Sequence, residues 1–324
     1  MNELFCNKSS QYFPIYAELA DLRSTLIANC VFNNCLTYTT IMLNIVTIYA
    51  IHKTSTIAKT LKTLLLSLAC SDVAVGVFTH PLYTFFLVKC LQLENPACKT
   101  QQMLMISSSL FSVASFFGVV AVSVDRFLAV HLHLRYQELV TQRRVVIVVA
   151  GVWVFSASLS LLVLWGLVNT RALIITVSAS FSFIMTCMVY IRIYLSVRRH
   201  RSHIQSMKIR DEARCDEMKN FAVLIKSTVG IFYVYLVFLS CYLPVVICTA
   251  VIRIYGSNSV LKRLYLFSLT LVYLNSSLNP VIYCWKMRHI RHAIMDILWK
   301  VSQRRNHPSR VIYNRPSSVV HVDN

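Results

Sequence analysis

Seven stretches of this chain, near 26–52, 59–88, 100–130, 143–167, 172–198, 218–251 and 261–284, are apolar over a length that can cross a bilayer; about 30 Å of hydrocarbon takes roughly 20 helical residues. With 56% hydrophobic and 14% charged residues, 324 residues are too apolar for a soluble domain, where the apolar share sits nearer 45–50%. In lipid the backbone must satisfy its own hydrogen bonds, which leaves helices or a closed barrel, and runs this long and continuous are helical. The expectation is an all-α membrane protein, a seven-transmembrane helix bundle. An extracellular amino-terminal segment covers 1–25, the bundle 26–284, an amphipathic interfacial helix 285–299 and a disordered cytosolic tail 300–324.

Lysine and arginine set the orientation. Eight of the 32 (Lys8, Arg23, Lys89, Lys99, Arg171, Arg253, Lys262 and Arg263) fall on the amino-terminal side and the rest opposite, so the amino terminus is expected outside and the tail inside. The first 25 residues lack a basic start followed by a short apolar core, and the first span is read as its own anchor rather than a cleaved signal. A net charge of +19 would fit a nucleic-acid binder, but these bases flank spans, where they meet anionic head groups; nucleic acid is not an expected partner.

Asn7-Lys8-Ser9 is a glycosylation sequon on the outer side. Most of the 11 cysteines lie within spans and act as small apolar residues. Cys6, Cys90 and Cys98 lie outside them; a bridge between Cys90 and Cys98, or from Cys6 to either, is open. Residues 199–217 mix both charge signs and extend helices five and six into the cytosol. The connection between spans four and five is expected at Val168 to Arg171. After Tyr283, Ile290, Ile294, Ile297 and Leu298 recur at helical spacing between Trp285 and Trp299, a helix lying in the interface.

Polar residues at membrane depth demand a function or a partner. Asp72 falls mid-span; Ser115 lies half-way down span three, and Asn275, Ser276 and Asn279 line span seven with 275 and 279 one turn apart. With Asn44 they make an all-oxygen set suited to a sodium ion. The alternative is a protonated Asp72, or one hydrogen-bonded to Asn44 and Asn279. Arg126 beside Asp125 at the inner end of span three can pair locally or be released to another partner, a bistable element. Pro244 and Pro280 each remove a helix hydrogen bond; Tyr190 and Tyr283 sit near the inner ends.

Taken in order, Leu43-Asn44-Ile45-Val46, Leu68-Ala69-Cys70-Ser71-Asp72, Asp125-Arg126-Phe127, Trp153, Cys241-Tyr242-Leu243-Pro244 and Asn279-Pro280-Val281-Ile282-Tyr283 resemble the rhodopsin-like (class A) G-protein-coupled receptors, over about 26–299. The resemblance implies a sodium pocket at Asp72, Ser115, Asn275, Ser276, Asn279 and Asn44. It implies an activation switch at Asp125, Arg126, Tyr190, Phe238, Tyr242, Pro244, Pro280 and Tyr283. It further implies a plasma-membrane receptor that acts on a heterotrimeric G protein, with arrestin and a receptor kinase as further partners. Phe127 stands where tyrosine is usual, Tyr242 where tryptophan is common, helix five has no proline between Arg171 and Arg199, and Leu224 replaces an acid that locks Arg126 in many relatives. Raised basal activity follows as an expectation.

The short loop after span four and the missing helix-five proline resemble the branch of melanocortin, adenosine, cannabinoid and lysophospholipid receptors. Yet Leu82, Gln101 and Met105 stand where melanocortin receptors carry acids, and Thr249 where adenosine receptors carry an asparagine. Ser108 replaces the amine-receptor aspartate and Tyr273 the opsin lysine. The remaining cup, His80, Tyr83, Met105, Ser108, Thr249 and Tyr273, suits a lipid or small neutral ligand, with a peptide also open. Two other readings are a seven-span transporter, against which the absence of internal repeats counts, and a ligand-independent receptor. No nucleophile–base pair or metal motif points to an enzyme.

Overall fold

The computed structural model describes residues 11–55, 57–94, 98–132, 135–206, 212–286, 290–296 and 299, with the side chains of 179, 193, 196–206 and 212–227 outside that description. The sequon at Asn7, the Leu224 side chain, Ile297, Leu298 and the tail 300–324 therefore lie beyond what is described. After a single 3-10 turn at Tyr16–Glu18 come seven long helices: α1 (Arg23–Lys53), α2 (Lys59–Leu91), α3 (Cys98–Leu132), α4 (Gln142–Leu161), α5 (Val168–Ser206), α6 (Glu212–Tyr255) and α7 (Ser259–Lys286). No strand occurs among the described residues. The molecule is an all-α, seven-helix membrane bundle. In it α3 is the hub, packed on α2, α4, α5 and α6, while α7 closes the ring against α6 and α1.

The bundle is polar inside and apolar outside wherever lipid is the solvent. On α1, Asn29, Asn33, Thr40, Asn44 and Thr47 recur at intervals of three, four and seven and are all buried, while Phe32, Tyr38, Met42, Ile45 and Tyr49 face outward. The buried stripe is spoken for by neighbours: Asn33 Nδ2 donates to the His80 carbonyl at 2.9 Å and to Thr84 at 2.7 Å, and Thr40 pairs with Ser277 at 2.5 Å. Thr270 donates to Asn29. Such bonds replace the hydrophobic effect, which lipid does not supply between helices. The same logic explains α7. Six of the helices are long and apolar enough to cross a membrane, and α7, though 28 residues long, is not among them. Its polarity is turned inward, through buried Ser268, Thr270, Asn275, Ser276, Ser277 and Asn279.

Two local features depart from the expected spans. α4 stops at Leu161; the connection is 162–167, and Val168 to Arg171 is already the first turn of α5. Gly166 at φ 69° takes the left-handed conformation that ends the turn, its N–H donating to the Val163 carbonyl and that of Leu167 to the Leu162 carbonyl. In α2 the helix widens to a π turn at Val75–Thr79, just before Pro81. Proline lacks an N–H and crowds the carbonyl four residues back, and widening by one residue relieves both. Gly76 lies in this turn against α1; a Cβ there would sit 2.6 Å from Ile41 Cγ1.

Past α7, residues 290–296 are helical, with Ile290 and Ile294 buried and Trp285 and Trp299 exposed. The bridge between Cys90 and Cys98 does not form. Cys90 is a buried free thiol packed in the outer core, whereas Cys98 is disulfide-bonded to a partner outside the described residues.

Candidate functional site

Three groups of polar side chains lie along the axis of the bundle. At mid-depth Asp72 is fully buried on α2, and Asn279 Nδ2 on α7 donates to its Oδ2 at 2.8 Å. Asn44 does not bond Asp72. Its amide instead donates to the Thr40 carbonyl at 2.9 Å and the Ser276 carbonyl at 2.8 Å, because α1 sits against α7 at this level and the Asn44 amide finds backbone acceptors there. Asp72 Oδ1, Asn44 Oδ1, Asn275 Oδ1, Asn279 Oδ1 and Ser115 Oγ are buried without a hydrogen-bond partner among the described residues. An orphaned buried oxygen is costly. These five oxygens, on α1, α2, α3 and α7, are hard donors of the kind a small hard cation takes; Asn275 Nδ2 in the same group is likewise unpartnered.

At the inner end of α3 the Arg126 side chain is 5% exposed and Asp125 4%. The guanidinium donates to Asp125 Oδ2 through Nε at 3.0 Å and through Nη2. Asp125 Oδ1 is held from the other side by the Tyr136 hydroxyl at 2.7 Å, and Tyr136 in turn lies 3.0 Å from Thr60 Oγ1 on α2. Burial first, then the Asp125 charge, pushes the Tyr136 phenol up to about 12, so it is a neutral donor at physiological pH. Tyr190 on α5 meets Ser123 at 3.2 Å. Tyr283 and Tyr235 are buried with unpartnered hydroxyls. Between the two levels Phe238 and Tyr242 stack at 4.0 Å and Phe116 leans on Phe238 at 5.2 Å. Trp153 Nε1 donates to Ser67 at 3.1 Å, tying α4 to α2. Pro244 and Pro280 sit inside continuous helices.

The outer group is closed. His80, Tyr83 and Tyr273 are essentially unexposed and pack on one another, with ring centroids 5.5 Å apart for His80–Tyr273 and 5.1 Å for Tyr83–Tyr273. Their polar atoms are largely committed. His80 Nδ1 pairs with Asn33 at 2.5 Å, and Tyr83 donates to the Leu266 carbonyl at 3.2 Å. Thr249 donates to Val245 of its own helix at 2.7 Å, Met105 is buried, and Ser108 is half-buried on α3. Above them the amino-terminal segment folds over the mouth. Tyr12, Phe13, Leu19 and Leu22 are all at most 3% exposed and join the outer core. Phe13 packs on Phe86 at 4.9 Å, Tyr12 on Tyr265 at 5.6 Å, and Lys262 Nζ donates to Glu18 Oε2 at 2.6 Å.

Sequence reasoning did not find Tyr136, Asn33 or the Tyr12–Phe13 contact. The periodic asparagines of α1 carried a signal for Asn33. Tyr136 and Phe13 carried none: Tyr136 bonds Asp125, 11 positions back, through a local arrangement that no spacing encodes, and Phe13 meets Phe86 on α2.

The family model of the seven-transmembrane receptors of the rhodopsin family matches residues 43–172 and 167–283. Adenosine receptor A3 of Ovis aries is 24% identical over 279 residues, 79% of this chain and 84% of that receptor. Adenosine receptor A2a of Canis lupus familiaris is 26% identical over 305 residues, 82% of this chain and 70% of that one. Melanocortin receptor 5 of Homo sapiens is 24% identical over 190 residues, 57% of each. A family match over well more than half of the chain, on a seven-helix bundle whose polar groups line its axis, shows that this protein belongs to the rhodopsin family of seven-transmembrane receptors and has G-protein-coupled receptor activity.

Proposed function

We propose that the chain is a plasma-membrane receptor, amino terminus outside and tail in the cytosol, in which a ligand seated in the outer half frees Arg126 to engage a heterotrimeric G protein. The observation that carries this reading is the inner lock. Arg126 holds one carboxylate, Asp125, and that carboxylate is shared with Tyr136. Both holds are local, so a shift of α6 and α7 of a few kcal/mol is enough to trade them for a partner's backbone carbonyls. Phe238, Tyr242, Pro244 and Pro280 lie between the ligand level and the lock and transmit that shift, and the unpartnered hydroxyls of Tyr235 and Tyr283 gain partners in the active packing. Arrestin and a receptor kinase would read the same inner face and the tail.

At mid-depth Asp72, Ser115, Asn44, Asn275, Ser276 and Asn279 would hold a sodium ion, whose charge favours the packing that keeps these oxygens together. Ligand-stimulated nucleotide exchange on a co-expressed G protein tests both parts. Exchange is expected to be lowered by sodium in the parent and insensitive to it in Asp72→Asn; equal sodium sensitivity in both would overturn the ion site. With Leu224 at a position where relatives carry an acid, exchange without ligand is expected to exceed that of cells lacking the receptor.

A further inference from the structure

The outer end of the bundle carries a charge the fold leaves unmatched. Eight bases and four acids (Glu3, Glu18, Asp21 and Glu94) lie on that side by sequence. Three of the acids are committed: Glu18 to Lys262 at 2.6 Å, Asp21 to Arg263 at 3.4 Å and Glu94 to Lys89 at 2.6 Å. Arg171 and Arg253 have no carboxylate among the described residues. Arg253 Nε donates only to the Tyr12 hydroxyl at 2.9 Å. Arg171, in the first turn of α5, donates through Nη1 to Ser109 of α3, and its Nε is buried with no partner. Tyr12 and Tyr265 stand beside it, themselves buried.

The Arg171 side chain is only partly buried, but its Nε is shut off from water without a partner, and a buried unpaired donor on a charged group is expensive. The planar fork of arginine is matched by a two-oxygen anion, and the edge that carries the unpartnered Nε is one that binds carboxylate or phosphate in parallel.

We propose that Arg171, with Arg253 at the rim, is the counter-ion for the carboxylate or phosphate head group of an amphiphilic ligand. The ligand's apolar part lies outside the closed cluster of His80, Tyr83 and Tyr273, along the sparsely packed face of α5. Two observations favour an amphiphile from the bilayer over a soluble anion. Tyr12 and Phe13 close the mouth from above. On the side, α5 packs mainly on α3, only sparsely on α6, and among the described residues forms no substantial contact with α4; just 18% of its most apolar window is buried. The way in is lateral, beside the helix that carries Arg171. This proposal rests on the receptor reading and names the ligand class of its outer site.

The test is thermal unfolding of the full chain in nanodiscs of phosphatidylcholine, titrated with oleate, monooleoyl lysophosphatidate, neutral oleamide, acetate and inorganic phosphate. A ligand that binds only the folded state raises Tm in proportion to its affinity. One or both of the anionic amphiphiles is expected to raise Tm saturably. Arg171→Gln is expected to need roughly thirty-fold more of that probe, as for loss of a charge-assisted bidentate pair. Arg171→Lys should fall between the two, and Arg253→Gln should shift the titration about three- to five-fold, in keeping with a pair open to water. Oleamide should act weakly and equally on parent and Arg171→Gln. Without any probe Arg171→Gln should melt above the parent, since the unmatched charge is gone.

Equal response to oleamide and the anionic amphiphiles, no response to either anionic amphiphile, or an unchanged titration in Arg171→Gln would overturn the proposal. A full response to acetate or inorganic phosphate alone would overturn the bilayer source. Because the readout is unfolding and not exchange, its failure leaves the inner lock untouched, and loss of the lock leaves this titration intact.

Discussion

The outer and inner ends of the bundle are built on different principles. At the outer end a strap of the chain's own residues, Tyr12 to Leu22, is sunk into an aromatic cluster and pinned by the Glu18–Lys262 pair. At the inner end the key cation is held by its immediate neighbour in the chain and by one tyrosine. Packing of large rings is cooperative and hard to trade away, because interiors are close-packed. A few hydrogen bonds worth about 1–3 kcal/mol each are easily exchanged for others. The difference teaches where the molecule can afford motion: close packing is concentrated at the mouth, and the proposed switch lies at the base.

Substitutions at the two ends should therefore separate two measurements, thermal stability and ligand-free nucleotide exchange per folded receptor. Phe13→Ala should have the largest effect on stability. It empties a site packed on Phe86 and Tyr265, and large-to-small changes of this kind cost about 3–5 kcal/mol. Exchange per folded molecule should stay within about two-fold of the parent, a span of less than 1 kcal/mol; a large rise would mean that the strap is part of the switch, and the comparison would break. Gly76→Ala should be next. The added Cβ meets Ile41 2.6 Å away, and overpacking costs about 1–3 kcal/mol. Pairing it with Ile41→Ala should recover much of the loss, which sharpens the claim that α1 and α2 touch through this glycine.

Tyr136→Phe should do the reverse. It deletes one bond to Asp125, so stability should change by about 1 kcal/mol or less. Ligand-free exchange should rise severalfold, because about 1 kcal/mol is a factor of about five between two packings. No change in exchange would remove Tyr136 from the lock.

The inner end and the mid-depth group were far more legible in the sequence than the outer end. Asp125, Arg126, Asp72 and Asn279 stand out because charge or amide in an apolar run is costly and so is rarely incidental, and their spacing resembles that of the family. The seven crossings were equally legible from the length of the apolar runs; even α7, whose inward stripe dilutes its apolarity, was found. What the sequence hid depends on contacts between distant segments. That Tyr12 and Phe13 cap the bundle follows from Phe86 and Tyr265 being where they are, over 70 residues away, and no local pattern encodes it. The packing of the outer group was hidden in the same way: the Tyr83 hydroxyl is satisfied by the Leu266 carbonyl, 183 positions along the chain, whereas Thr249 bonds the Val245 carbonyl one turn back on its own helix. The loop after α4 was misplaced by six residues because the apolar run continues through Gly166, whose left-handed backbone ends the helix all the same.

The most direct measurement of the whole account is ligand-free guanine-nucleotide exchange catalysed by purified receptor in nanodiscs, comparing the parent with Asp125→Asn and Arg126→Ala at equal amounts of folded protein. If Arg126 trades Asp125 for the G protein, Asp125→Asn raises exchange severalfold and Arg126→Ala lowers it to the rate of the G protein alone. Parent-level exchange by Arg126→Ala would contradict the account.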